Sequence, residues 1–151
     1  MRVLVQRVKN AKVTIEGKVH GQIGQGYLLL IGFTGTDTKE TVAMVIKKVL
    51  ELRIFDDENG KMNLSIFEVG GSVLSISQFT LYADIRKGRR PGFEKAAKYQ
   101  DASDLYDFTN LTLQESNLKI ETGIFGADMK VELLNDGPIT IMVDSEELTH
   151  G

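Results

Sequence analysis

A chain of 151 residues with 42% apolar residues suits one domain, 1–151, with its own core, and its net charge of −3 argues against non-specific coating of nucleic acid. It contains no Cys, so disulfides, thiol catalysis and thiolate metal sites are excluded together. The only histidines are His20 and His150, so neither a Ser-His-Asp triad nor a multi-histidine metal site is expected, and chemistry must proceed without the usual general base at neutral pH.

The N-terminus, Met1 to Val8, alternates like a strand and lacks the apolar core of a signal peptide. No later run approaches a membrane span, which points to a soluble protein of the cytoplasm. Residues 2–8 read as a strand with Val3, Val5 and Val8 on its apolar side. Runs 11–16 and 18–23 flank Glu16-Gly17-Lys18, a hairpin signal. Tyr27 to Phe33 is a continuous apolar run between glycines, the pattern of a strand buried on both faces. Four strands are therefore expected first.

The period then changes. Asp37 or Thr38 can cap a helix, Glu40 suits its first turn, and Val42, Val45, Ile46, Val49 and Leu52 recur at helical spacing over 38–52. Arg53–Phe55 returns to extended structure, Asp56 to Gly60 is a turn by composition, and 61–71 is an irregular connection.

Residues 72–84 form the densest β-prone run beyond the N-terminus, through Val73, Leu74, Ile76, Phe79, Leu81 and Tyr82, and read as one largely buried strand. Its middle is polar. Ser75, Ser77, Gln78 and Thr80 must each find a hydrogen-bond partner, face solvent or line a ligand cavity. The stretch 84–98 then carries six basic side chains, Arg86, Lys87, Arg89, Arg90, Lys95 and Lys98, against Asp84 and Glu94. That makes it +4, with −7 left for the rest of the chain. It is a solvated loop or a phosphate-backbone contact.

Residues 101–116 read as a second helix with Leu105, Phe108, Leu111 and Thr112 on its apolar stripe. Strands follow at 118–121, 130–134 and 139–143, and the polar tail 144–151 is expected to fray. Asn135-Asp136-Gly137-Pro138 reads on its own as a turn opening the last strand.

Taken together, Ser77-Gln78-Phe79-Thr80-Leu81, about 55 residues before Asn135 to Thr140, in a chain opening Met-Arg-Val-Leu-Val-Gln-Arg-Val, resembles the D-aminoacyl-tRNA deacylases. Arg90-Pro-Gly-Phe93 with Ala96-Ala97, and Gly123 to Met129, are similar to the family's connecting and late loops, so the resemblance covers nearly the whole chain. It implies an α/β fold: a single domain of strongly bent, barrel-like mixed and antiparallel β-sheets with two main helices packed outside. It implies a homodimer in which a cis Gly137-Pro138 peptide enters the partner's active site, braced by Arg7. It implies hydrolysis of D-aminoacyl-tRNA; glycyl-tRNA mischarged on tRNA(Ala) is expected as a second substrate because glycine has no side chain to exclude. No cofactor is expected, and the ligand inventory disfavours a metal.

Within that frame Ser77, Gln78, Phe79 and Thr80 are the catalytic candidates, and two mechanisms compete. The Thr80 hydroxyl could attack, but it would need a base and none is evident. The preferred route has backbone N–H groups near Phe79 and Thr80 holding the oxyanion while the ribose 2′-hydroxyl of the terminal adenosine helps orient water. The carbonyls of Gly137 and Pro138 would exclude L side chains by clash. Phe125 and Met129 would border the adenosine, and Arg89 and Arg90 would meet the acceptor stem. The rival of another class is a non-catalytic tRNA- or RNA-binding module, indifferent to chirality. An L-selective editing domain of the kind found with some threonyl-tRNA synthetases fits less well, because the Gly-Pro element is present.

Overall fold

A computed structural model describes residues 1–150, and Gly151 of the tail lies outside the described residues. The organising element is β1, Arg2–Ile15, a single 14-residue strand where the sequence suggested two. Lys9 and Asn10 are exposed, and the pairing register shifts around Val8, so the buried phase passes from Val3 and Val5 to Ala11 and Val13 without a break in the strand. A bulge of this kind bends a strand and increases its twist. Three strands, rather than four, therefore precede the first helix.

The first half of β1 pairs with β3, Gly26–Gly32, and its second half with β2, Lys18–Ile23. The β1–β2 hairpin turns at Glu16 and Gly17, both at positive φ (50° and 78°), as the Glu-Gly-Lys signal suggests. On its other edge β1 runs antiparallel to β8, Lys130–Asp144, along nearly its whole length. Parallel pairing of β3 with β6, Ser72–Ser77, and of β6 with β7, Lys119–Thr122, completes a mixed sheet. The sheet curls until β2 meets the β6–β7 edge. A Cβ on Gly21 would lie 3.2 Å from the Thr122 carbonyl and 3.5 Å from Leu74, so the absent side chain permits this near closure.

Curling creates two cores. Leu28, Leu74 and Ile76 face inward onto Val8, Ala11, Val13 and Ile23. The other face presents Val3, Val5, Tyr27, Leu29, Ile31 and Val73 to the helices. The first helix, α1 (Lys39–Glu51), buries Val42, Val45, Ile46 and Val49 here, each stabilising by roughly 1.5–3 kcal/mol. Its cap is reciprocal: Thr41 N–H donates to the Thr38 hydroxyl (3.3 Å) and Thr38 N–H to the Thr41 hydroxyl (3.1 Å).

The second helix, α2 (Tyr99–Gln114), begins two residues earlier than the pattern suggests and buries a different stripe. Ala102, Tyr106, Thr109 and Leu113 face the sheet, while Leu111 is 58% exposed. Thr109 is tolerated there because its hydroxyl bonds the Leu105 carbonyl at 2.7 Å. In the irregular connection, β4 (Phe55–Asp56) and β5 (Met62–Leu64) form a two-residue and a three-residue strand of a small separate sheet. The tail does not fray after Asp144. It forms a short helix, α3 (Ser145–His150), whose buried Ser145 accepts a hydrogen bond from the Met1 ammonium at 2.9 Å. Among the described residues no helix is long and apolar enough to cross a membrane.

Candidate active site

The expected strand over 72–84 ends at Ser77. Gln78 N–H makes the last ladder-like bond, to the Ile31 carbonyl at 2.7 Å, and Phe79–Tyr82 then winds into a single 3₁₀ turn. Alternation of Phe79, Leu81 and Tyr82 suggests β structure, but the neighbouring strand decides otherwise. A Cβ at Gly32 would stand 2.8 Å from the Gln78 carbonyl oxygen and 3.2 Å from Leu81 Cβ, so the turn can fold down only onto a glycine.

The turn's internal bonds run from Leu81 N–H to the Gln78 carbonyl (3.3 Å) and from Ala83 N–H to the Thr80 carbonyl (3.1 Å). The N–H groups of Phe79 and Thr80 belong to the first turn and have no carbonyl partner within it. Both residues are exposed, and neither N–H donates to another backbone group among the described residues. The Thr80 side chain is exposed, its hydroxyl receiving a hydrogen bond from the Gln78 amide, with no titratable group bonded to it. Ser77 is half-buried at the strand end.

Beside the turn lies an apolar cleft of about 380 Å³ lined by Phe79, Phe93, Ala97, Tyr99, Phe125 and Gly126. Phe79 meets Phe93 edge-on at 4.9 Å between centroids, and Tyr99 meets Phe125 edge-on at 5.0 Å. A second network supports this wall from inside. The fully buried Ser75 donates to Asn110 Oδ1 at 2.7 Å, and the Ser75 carbonyl accepts from Tyr106 Oη (2.7 Å) and Gly123 N–H (3.1 Å). Burial pushes the Tyr106 phenol above its ordinary pKa, so it stays a donor. Met129 does not line the cleft; it packs against the inner core, near Gly123 and Ile76.

The Asn135 to Pro138 segment is no turn between strands. It is a bulge inside continuous β8: Gln6 pairs with Thr140 and Val8 with Asn135, so residues 136–139 stand opposite Arg7 alone. The Gly137-Pro138 peptide is cis and both residues are exposed. Arg7, only 5% exposed, donates from Nε to the Asp136 carbonyl (2.8 Å) and from Nη1 to the Ile54 carbonyl (2.7 Å), with Asp56 at 3.3 Å. Asn135 closes the bulge from the other side, accepting from Ile139 N–H (2.7 Å) and donating to its carbonyl (3.1 Å). Among the described residues no hydrogen bond joins this bulge to residues 77–80.

In the basic loop Arg86 is committed to Asp84, at 2.9 Å from Nε and 2.8 Å from Nη2, and holds that carboxyl well below the usual carboxylate range. Arg89 and Arg90 are exposed and form no ion pair among the described residues. Sequence reasoning missed Tyr99 in the cleft wall, the roles of Asn135 and Asn110, and Arg2, which donates to the Leu81 carbonyl at 2.8 Å. The signal for Tyr99 was an aromatic residue in a basic, glycine-rich stretch; Arg2 offered none, since its partner is 79 residues away.

Comparison with known proteins bears on both the family and the fold. The D-Tyr-tRNA(Tyr) deacylase family matches residues 4–144. A D-aminoacyl-tRNA deacylase of Geobacillus sp. (strain WCH70) is 55% identical over 147 residues, covering 97% of each chain. Among solved structures, a c-Myc DNA unwinding element binding protein superposes with a TM-score of 0.90 at 36% identity, over 95% of this chain and 98% of the other. A probable eukaryotic D-amino acid tRNA deacylase shares the fold, with a TM-score of 0.80 at 19% identity over 94% and 97% of the two chains. With its barrel-like mixed sheet, its late bulge and its sequence matched from Leu4 to Asp144, the chain belongs to the D-Tyr-tRNA(Tyr) deacylase family.

Proposed function

We propose that this enzyme, a D-aminoacyl-tRNA deacylase, cleaves its ester by direct attack of water, with the backbone N–H groups of Phe79 and Thr80 holding the oxyanion. The observation that carries this reading is the 3₁₀ turn itself, whose two first N–H groups lack partners within the turn, directly beside an apolar cleft. One well-aimed oxyanion donor is typically worth about 10²–10³-fold in rate, and registering water against the ester adds more. Thr80 is a poor nucleophile here, because its hydroxyl is engaged by Gln78 and has no base to take its proton. Ser77, Gln78 and Thr80 shape the site, and the ribose 2′-hydroxyl of the substrate helps orient the water.

The cleft of Phe79, Phe93, Tyr99 and Phe125 suits a stacked purine, the 3′-terminal adenosine. The location of Met129 supports a part for it behind the loop of residues 123–129, in place of direct contact with the base. Arg89 and Arg90, exposed and without ion-pair partners among the described residues, suit the acceptor-stem phosphates.

Selectivity arises in a homodimer. The Gly137-Pro138 bulge, exposed in one chain and stiffened by Arg7 and Asn135, enters the partner's site and takes the space an L side chain would need. Glycine, lacking a side chain, escapes exclusion, so glycyl-tRNA mischarged on tRNA(Ala) is a second substrate. The work is chiral proofreading in the cytoplasm. Incubation with D-tyrosyl-tRNA, quenched early and read by intact mass, should yield free D-tyrosine and an unmodified chain. An acylated chain would contradict water attack, and tRNA binding without release would favour a non-catalytic module.

A further inference from the structure

We propose that Arg2 is a positioning residue of the deacylation reaction, setting the direction of the Phe79 and Thr80 N–H groups by holding the Phe79–Tyr82 turn from outside the site. The inference rests on the reading of that turn as the oxyanion site.

Arg2 makes contacts of three kinds with one planar group. Nη1 donates to the Leu81 carbonyl at 2.8 Å, Nε donates to Asp144 Oδ2 at 3.0 Å, and the guanidinium carbon lies 4.5 Å from the centre of the Tyr82 ring. Two of these reach the turn itself; the third ties it to the end of β8. Asp144 is a fixed post: it stands directly opposite Arg2 in the β1–β8 register, and its other oxygen accepts Glu146 N–H at 3.0 Å. Tyr82, 6% exposed, anchors the turn's far end.

The turn needs such an anchor. It carries few internal hydrogen bonds, and 3₁₀ geometry makes poor ones. Phe79–Tyr82 is a single short turn, so a shift of the Leu81–Tyr82 peptide is passed along it to the N–H groups at 79 and 80, and a displacement of about 1 Å at a reacting centre can cost about 10²-fold in rate. Arginine suits the task because its rigid fork bonds a carboxylate and a carbonyl together while its flat face lies on a ring; an ammonium cannot do all three. β1 thereby carries two arginines, each gripping a backbone carbonyl of one functional element: Arg2 on Leu81 and Arg7 on Asp136.

Two other roles are separable by experiment. A purely structural Arg2 would lower thermal stability while leaving turnover by the folded fraction intact, and an Arg2 that attracts tRNA would change half-saturation and its salt dependence. The test is single-turnover hydrolysis of D-tyrosyl-tRNA, with enzyme in excess, by wild type, Arg2→Ala, Arg2→Lys and Asp144→Asn, below their melting temperatures. In Arg2→Ala the saturated rate constant should fall about 10-fold or more, with half-saturation within about twofold of wild type. Arg2→Lys should stay nearly as slow, Asp144→Asn should fall in between, and dilute guanidinium should restore part of the Arg2→Ala rate. Saturated rates within twofold of wild type, a loss confined to half-saturation, or full recovery with lysine would overturn the proposal. If Arg2→Ala does not fold, Arg2→Lys and Asp144→Asn decide by the same criteria. An inert wild type would overturn the reading beneath it, and the proposal with it.

Discussion

Replacing Gly137 with alanine adds one methyl group at the point where the account is most exposed. Gly137 sits at φ 146°, a region L residues rarely adopt, and an added Cβ would lie 2.7 Å from Ile139 Cγ1 and 2.8 Å from the Ile139 nitrogen. The Ile139 N–H cannot retreat without breaking its 2.7 Å bond to Asn135 Oδ1, and Asp136 is held by Arg7 at 2.8 Å. Backbone strain of this type costs about 1–3 kcal/mol. For a chain of this size each kcal/mol lowers Tm by about 2–4 °C, so a fall of roughly 2–12 °C is expected in a thermal melt. Because the bulge must move to relieve the contact, its shape as a steric filter changes too. Rates on D- and L-tyrosyl-tRNA measured with folded Gly137→Ala enzyme should show a loss of D over L preference of about tenfold or more, the cost of about 1.4 kcal/mol in differential fit. Wild-type melting together with an unchanged D to L ratio would refute the reasoning.

Thr80→Ala should keep deacylation within about tenfold of wild type, since backbone donors survive the change; a drop near 10⁴-fold in kcat would make Thr80 the nucleophile. Asn135→Ala leaves both backbone groups of Ile139 without their partner, and calorimetry should register a loss of about 1–3 kcal/mol. Tyr106→Phe removes one of two donors to the Ser75 carbonyl, so its cost should stay near 0.5–1.5 kcal/mol by chemical denaturation. Asp84 has its folded pKa lowered by Arg86, so its stabilising effect is complete above the ordinary carboxylate value of 3.8 and is lost only as pH falls through the depressed one. NMR titration should find the Asp84 carboxylate still ionised where other aspartates have protonated; titration at the ordinary value would break that argument.

Local signals were strongest where each element depends on its own residues. The Thr38 cap, the Val42 to Val49 stripe and the Glu16-Gly17 hairpin needed nothing from elsewhere, and all are present. The end of β6 at Ser77 was hidden, because it depends on Gly32 making room and on Arg2 reaching Leu81, contacts distant in sequence. The merging of two apparent strands into β1 was hidden for a related reason: the exposed pair Lys9 and Asn10 looks like a break, and only continuous pairing with β8 carries the strand through it. On α2 the helical period was visible, but Leu111 outranked Thr109 on any hydrophobic scale, and the burial of Thr109 depends on a bond to its own backbone turn. Of the candidate site, the structure clusters Phe79 and Phe125 at one cleft and Arg7 with the Gly137-Pro138 bulge elsewhere. Among the described residues no hydrogen bond joins the two groups within one chain, and the expectation that a partner brings them together rests on the family resemblance.

The most direct test is hydrolysis of D-tyrosyl-, L-tyrosyl- and glycyl-tRNA side by side by the wild-type protein. Release of D-tyrosine and glycine with L-tyrosyl-tRNA spared is the expected result. Equal release of D- and L-tyrosine would contradict the steric filter.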